Sequence, residues 1–153
     1  MKKLGLILLG MILYTFGNAQ SDAEEIQLMQ SLFGMEKKAL VAEFIQLDIA
    51  THDAFWTLYD QYEVERKALG KGRIGLIKQY AEQYATMTDE QAAEFMSQMI
   101  SQRKQTDKLM DTYYKKISKA TSPIVAMQFF QVEAYILAAI RSYILEEVPF
   151  VKK

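Results

Sequence analysis

An all-α fold follows from three features of this 153-residue sequence. Apolar side chains recur at three- and four-residue spacing, the period of a helix rather than a strand. Ala, Glu, Gln, Lys, Leu and Met, the strong helix formers, dominate the chain. Gly and Pro are scarce, at seven and two, and alternating β-branched runs are absent. The expected architecture is four to five helices forming an elongated helical hairpin. It divides into residues 1–19, 20–48 and 49–148.

Residues 1–19 have the layout of a secretory signal peptide. Met1-Lys2-Lys3 is basic, Leu4 to Phe16 is almost wholly apolar, and Gly17-Asn18-Ala19 supplies small residues at the cleavage positions. Cleavage is expected after Ala19, and the destination is a bacterial periplasm. The apolar run is well short of the ~20 residues that span a bilayer, and no later segment is read as a span. Loss of Lys2 and Lys3 with the leader leaves 16 basic against 19 acidic side chains, a formal charge of −3.

The first mature segment is read as helical from about Ala23 to Gln46, broken near Gly34. The second helix begins after Thr51, a candidate N-cap. Its stripe is Phe55, Tyr59, Tyr62, Leu69, Leu76, Tyr80 and Tyr84. Gly70, Gly72 and Gly75 interrupt it, which leaves a kink or a turn there. Thr88-Asp89-Glu90-Gln91 reads as a capping box, with Thr88 and Gln91 as its reciprocal partners. The third helix follows to about Lys119, with Phe95, Met99, Met110, Tyr113 and Ile117 on one face. Thr121-Ser122-Pro123 gives a hydroxyl cap and then Pro at the first helical position. The fourth helix runs to about Glu147. From Ile124 to Val148, 18 of 25 residues are apolar, against 11 of 31 from Asp89 to Lys119. The fourth helix is therefore either buried almost all round or exposes an apolar surface. Its coherent polar stripe is Gln128, Gln131, Ser142 and Glu146.

Composition removes several chemistries. Without Cys there are no disulfides, thiolate metal sites, thiol nucleophiles or acylated-Cys anchors. A single His excludes multi-His metal sites. A near-neutral charge gives no reason to expect nucleic acid. Gly70-Lys71-Gly72-Arg73-Ile74-Gly75 matches the letters of a dinucleotide fingerprint. It lacks the preceding strand that the fingerprint needs, so it is read as a joint. His52 is read as a surface residue in the first turn of its helix. Glu133 falls by helical angle among Phe130, Leu137, Ile140 and Ile144. If buried, it needs a hydrogen bond or salt bridge to another helix, and no second group beside it suggests catalysis. The chain is thus read as a non-enzyme without cofactor, metal or small-molecule substrate.

An exported, Cys-free, all-helical chain of this length resembles the Spy/CpxP-like periplasmic chaperone and stress-sensor family over roughly residues 44–143. The family opens its hairpin with an L-T-x-x-Q box and repeats it before its last helix. Here Ile49-Ala50-Thr51-His52-Asp53-Ala54 and Ala120-Thr121-Ser122-Pro123-Ile124-Val125 keep the hydroxyl but lack the Gln in register. Met87-Thr88-Asp89-Glu90-Gln91 matches more literally and opens the third helix. Phe55-Trp56-Thr57-Leu58-Tyr59 resembles a subgroup described as sensors linked to extracytoplasmic sigma factors or heavy metals. The resemblance implies curved hairpins that dimerise, antiparallel, into a cradle binding unfolded clients without ATP.

Two functions remain open. One is an ATP-independent chaperone-like protein that binds unfolded or membrane-associated proteins through apolar helical faces. The other is a stress-sensing regulator acting on a membrane signalling partner. The candidate contact residues are Phe55, Trp56, Tyr59, Tyr62, Tyr80, Tyr84, Met99, Met110, Phe129 and Phe130. A homodimer is expected, because the fourth helix is more apolar than one hairpin can cover.

Overall fold

The computed structural model describes residues 36–151, and the expected leader, its expected cleavage position and the greater part of the helix expected from about Ala23 lie outside them. The chain divides into two compact units, Met1–Glu43 and Phe44–Lys153. Residues 36–44 form helix α1. The second unit is built from α2 (Ile49–Gln83), α3 (Asp89–Ala120) and α4 (Pro123–Glu147). No strand occurs among the described residues, and the fold is all-α.

Three cap regions set the limits of these helices. At α3, the Gln91 backbone N–H donates to Thr88 Oγ1 at 3.3 Å. The Thr88 N–H donates back to Gln91 Oε1 at 2.9 Å, closing the capping box. At α4, the Val125 N–H donates to Ser122 Oγ at 3.2 Å, with Pro123 opening the first turn. Thr121 belongs instead to the end of α3, where its hydroxyl donates to the Ile117 carbonyl at 2.7 Å. Helix α2 starts two residues before Thr51. The Asp48 carbonyl already accepts from the Thr51 and His52 N–H groups, each at 3.0 Å. Thr51 Oγ1 donates to that same carbonyl at 3.3 Å, so Thr51 lies inside the helix rather than capping it.

Helix α2 runs unbroken through Gly70, Gly72 and Gly75 for 35 residues, about 50 Å. There is no turn at the glycines. At Gly72 the reason is close packing. A Cβ there would collide with the side-chain amide of Gln102 on α3.

Helix α3 packs along both α2 and α4. Ring contacts give the direction of each pair. Tyr62 meets Tyr113 at 5.4 Å between centroids, and Tyr80 meets Phe95 at 5.2 Å. The numbering rises on α2 as it falls on α3, so the two are antiparallel. Tyr114 meets Phe130 at 6.3 Å across the short α3–α4 corner. Helices α2 and α4 therefore run parallel. They touch where Phe129 lies 5.1 Å from Tyr62 and 6.5 Å from Tyr59. Farther along, the Tyr80 hydroxyl donates to the Pro149 carbonyl at 2.6 Å.

The core is the seam among these helices. Phe55, Tyr59, Tyr62, Leu76, Met110, Tyr113, Ile117, Ala126, Phe129, Val132 and Ile136 are buried. Helix α4 contributes one face only. An 18-residue window within Pro123–Glu146 has a mean hydropathy of 1.5 and is 33% buried. By length and composition alone it is apolar enough to cross a membrane, contrary to the expectation that no later segment qualifies.

Candidate functional site

Half of the aromatic and Met residues expected to contact clients lie in the core. Phe55, Tyr59, Tyr62, Met110 and Phe129 are each at most 5% exposed. Trp56, Tyr80, Tyr84 and Met99 are half-buried, and Phe130 is exposed. The aromatic members of the stripe on α2 meet rings from α3, α4 or their own helix, and Leu76 is buried with them. Edge-to-face contacts of this kind favour a packed interior over an open groove. The five buried residues are corrected from contact surface to core.

That interior also holds charge. Glu133 is fully buried and accepts a hydrogen bond from the Tyr62 hydroxyl at 2.8 Å. The bond to another helix required by its position is present. Next to Tyr62 in sequence, Glu63 receives both Arg66 Nε at 2.7 Å and Arg66 Nη2 at 3.0 Å. Tyr113 donates to Glu65 at 2.6 Å. Burial, then the charge and hydrogen bond of Glu133, raises the Tyr62 pKa. Burial, then Glu63, raises that of Tyr59. Burial works against the Arg66 charge, but the bonds and charge of Glu63 outweigh it and hold its pKa above the ordinary value. Every one of these perturbations has a structural cause within the helix seam, so they do not single out an acid–base pair.

The surface has a different character. Ile124, Met127, Tyr135 and Leu145 are 72%, 57%, 72% and 65% exposed. With Gln131, Ala134, Ala138 and Ser142, also exposed, they follow one another at helical spacing along the outer face of α4. Thus α4 takes the second of its two alternatives, an exposed apolar surface. Sequence reasoning found the excess but not the side chains. The polar stripe was the available signal, since Gln131 and Ser142 lie on this outer face. Phe150 and Val151, just past α4, are exposed as well.

Two open depressions are present as well. One, of about 450 Å³, lies on α3 and is lined by Ala93, Met96, Ser97, Ile100, Ser101 and Lys104. The other, of about 260 Å³, lies between α3 and α4 and includes Asp107, Asp111, Phe130 and Arg141. Among the described residues no group of three or more His, Asp or Glu is placed to hold a metal ion. His52 is exposed, as expected, and bonds to two neighbours. Its Nδ1 lies 3.0 Å from Asp53 Oδ1, and Trp56 Nε1 donates to its Nε2 at 3.1 Å. Arg73, in the glycine segment, has its pKa lowered by burial and then by the charge of Arg141.

No family model, no curated protein and no solved structure matches this chain.

Proposed function

We propose that this chain is an exported, ATP-independent, chaperone-like protein of the Spy/CpxP-like kind. It holds apolar segments of unfolded polypeptides against the outer face of α4. The observation that carries this reading is the exposure of Ile124, Met127, Tyr135 and Leu145 on one helix face. Fully burying a large apolar side chain gains about 1.5–3 kcal/mol. Four such side chains provide a gross gain large enough to survive the cost of ordering a flexible segment, with moderate affinity left over. Gln131 and Ser142 between them suit variable clients, because a broken stripe does not impose one sequence. In the same reading, two copies pair weakly through these faces when no client is present.

The test is aggregation of a chemically denatured model protein diluted into buffer. The mature chain is expected to suppress light scattering near stoichiometric amounts, without ATP. The double variant Y135E/L145E is expected to lose that effect while keeping its helical content. Absence of suppression by the unaltered chain at several-fold excess would sink the proposal.

A further inference from the structure

Arg73 carries a cation on the inner face of α2, two turns past Arg66 and two turns before Tyr80. Arg66 is held there by two hydrogen bonds to Glu63. Arg73 has no such partner. Its Nε is buried and makes no hydrogen bond. Among the described residues no carboxylate forms an ion pair with Arg73 or with Arg141. The register of the parallel helices brings these two arginines to one level. Tyr62 meets Phe129, and farther along Tyr80 meets Pro149. The offset in numbering hardly changes between those contacts, and Arg73 and Arg141 fall between them with the same offset. Burial and then the positive charge of Arg141 act against the Arg73 charge, and no carboxylate counters them. A desolvated cation facing a like charge is costly until an anion joins it.

We infer that Arg73 and Arg141 form a binding site for a doubly charged phosphate group, one arginine from α2 and one from α4. Each guanidinium presents a fork of N–H donors. A phosphate has oxygens enough to meet a fork on each side, and its two charges match both arginines. A single carboxylate carries one charge and fills one fork. Helix α2 is unbroken through the glycines, so its backbone N–H groups are spent on helix bonds. The site is therefore made by side chains, unlike a glycine-rich phosphate loop. The Gln102 amide, which α3 brings against Gly72, is a further donor at this level. Arg73 is half-buried and Arg141 exposed, so a small anion reaches them from solvent. Asp107 and Asp111 line the α3–α4 depression with Arg141 and hold the affinity to a modest value. The inference does not depend on what binds the outer face of α4.

The melting temperature of the purified chain is expected to rise with inorganic phosphate, beyond any change in sodium chloride at equal ionic strength. A ligand that binds only the folded state stabilises it. In titration calorimetry R73M and R141M are each expected to weaken phosphate binding about tenfold or more, the cost of losing a charge-assisted hydrogen bond. In chloride alone, R73M is expected to melt no lower than the unaltered chain, because it keeps the apolar stem and removes an unpaired charge. Vesicles of phosphatidylcholine with and without phosphatidic acid separate the two sources of such a group. Binding to phosphatidic acid that R73M abolishes assigns a lipid headgroup; no vesicle binding, with free phosphate still bound, assigns a soluble phosphate. No stabilisation by phosphate beyond that of chloride would overturn the site. So would stabilisation that persists in R73M/R141M, or an R73M chain that melts lower in chloride, which would show the guanidinium already satisfied.

Discussion

Glu133 sits fully buried, and its Oε2 accepts a hydrogen bond there from the hydroxyl of Tyr62. Its place on the inner face was readable from helical angle alone. Its partner was not, because Tyr62 lies 71 positions away and only the hairpin register brings the two together. A hydrogen bond to a charged group is worth about 1.5–3 kcal/mol, so Y62F is expected to destabilise the fold by about 2 kcal/mol in urea titration. The same site sets an alkaline limit. Tyr62 and Tyr59 have raised pKa values, chiefly through burial. An unfolded phenol ionises near pH 10, while these stay protonated in the fold. Their contribution is fully present below that value and is lost as pH rises toward the higher folded one. The slope is about 1.4 kcal/mol per pH unit for each such tyrosine. Stability is therefore expected to fall steeply above about pH 10, less steeply in Y62F. Tyrosinate absorbance that completes while circular dichroism is unchanged would contradict this.

The helices differ in how openly the sequence announces them. The capping box at Thr88 and the Ser122-Pro123 start are local, so their residues name the boundary. The glycines of α2 misled for the opposite reason. Each weakens a helix by about 1 kcal/mol relative to Ala, and three within six residues read as a break. Tertiary packing overrides that cost, because Gly72 lets α3 come close enough for Gln102 to occupy the space of a Cβ. Gly75 has nothing within 4 Å of where its Cβ would be. G75A is therefore expected to raise stability by about 0.5–1 kcal/mol. G72A is expected to gain less than this, because the Gln102 amide must first swing aside. Equal gains at both positions would show that the close approach at Gly72 carries no cost. Differential scanning calorimetry of the two single variants decides it.

The uneven distribution of apolar residues was visible in the sequence as a count, but its two meanings separate only once three helices are packed. The inner face of α4 is spent on Ala126, Phe129, Val132 and Ile136, all buried against α2 and α3. The outer face keeps Ile124, Met127, Tyr135 and Leu145 in solvent. These two sets are expected to respond oppositely to substitution. F129A removes a fully buried ring and is expected to cost about 3–5 kcal/mol. Y135E changes an exposed side chain and is expected to leave stability within about 0.5 kcal/mol. Association should show the reverse order. A permanent dimer interface resembles a domain core cut in half, whereas this stripe alternates large side chains with Gln131, Ala134, Ala138 and Ser142. Pairing through it is accordingly expected to be weak and to dissociate on dilution in analytical ultracentrifugation. Y135E is expected to abolish the dimer and the holding of denatured clients together, at unchanged urea midpoint. A dimer that persists on dilution and tolerates Y135E would place the contact elsewhere. If Y135E leaves client holding intact as well, the outer face of α4 is not the binding surface.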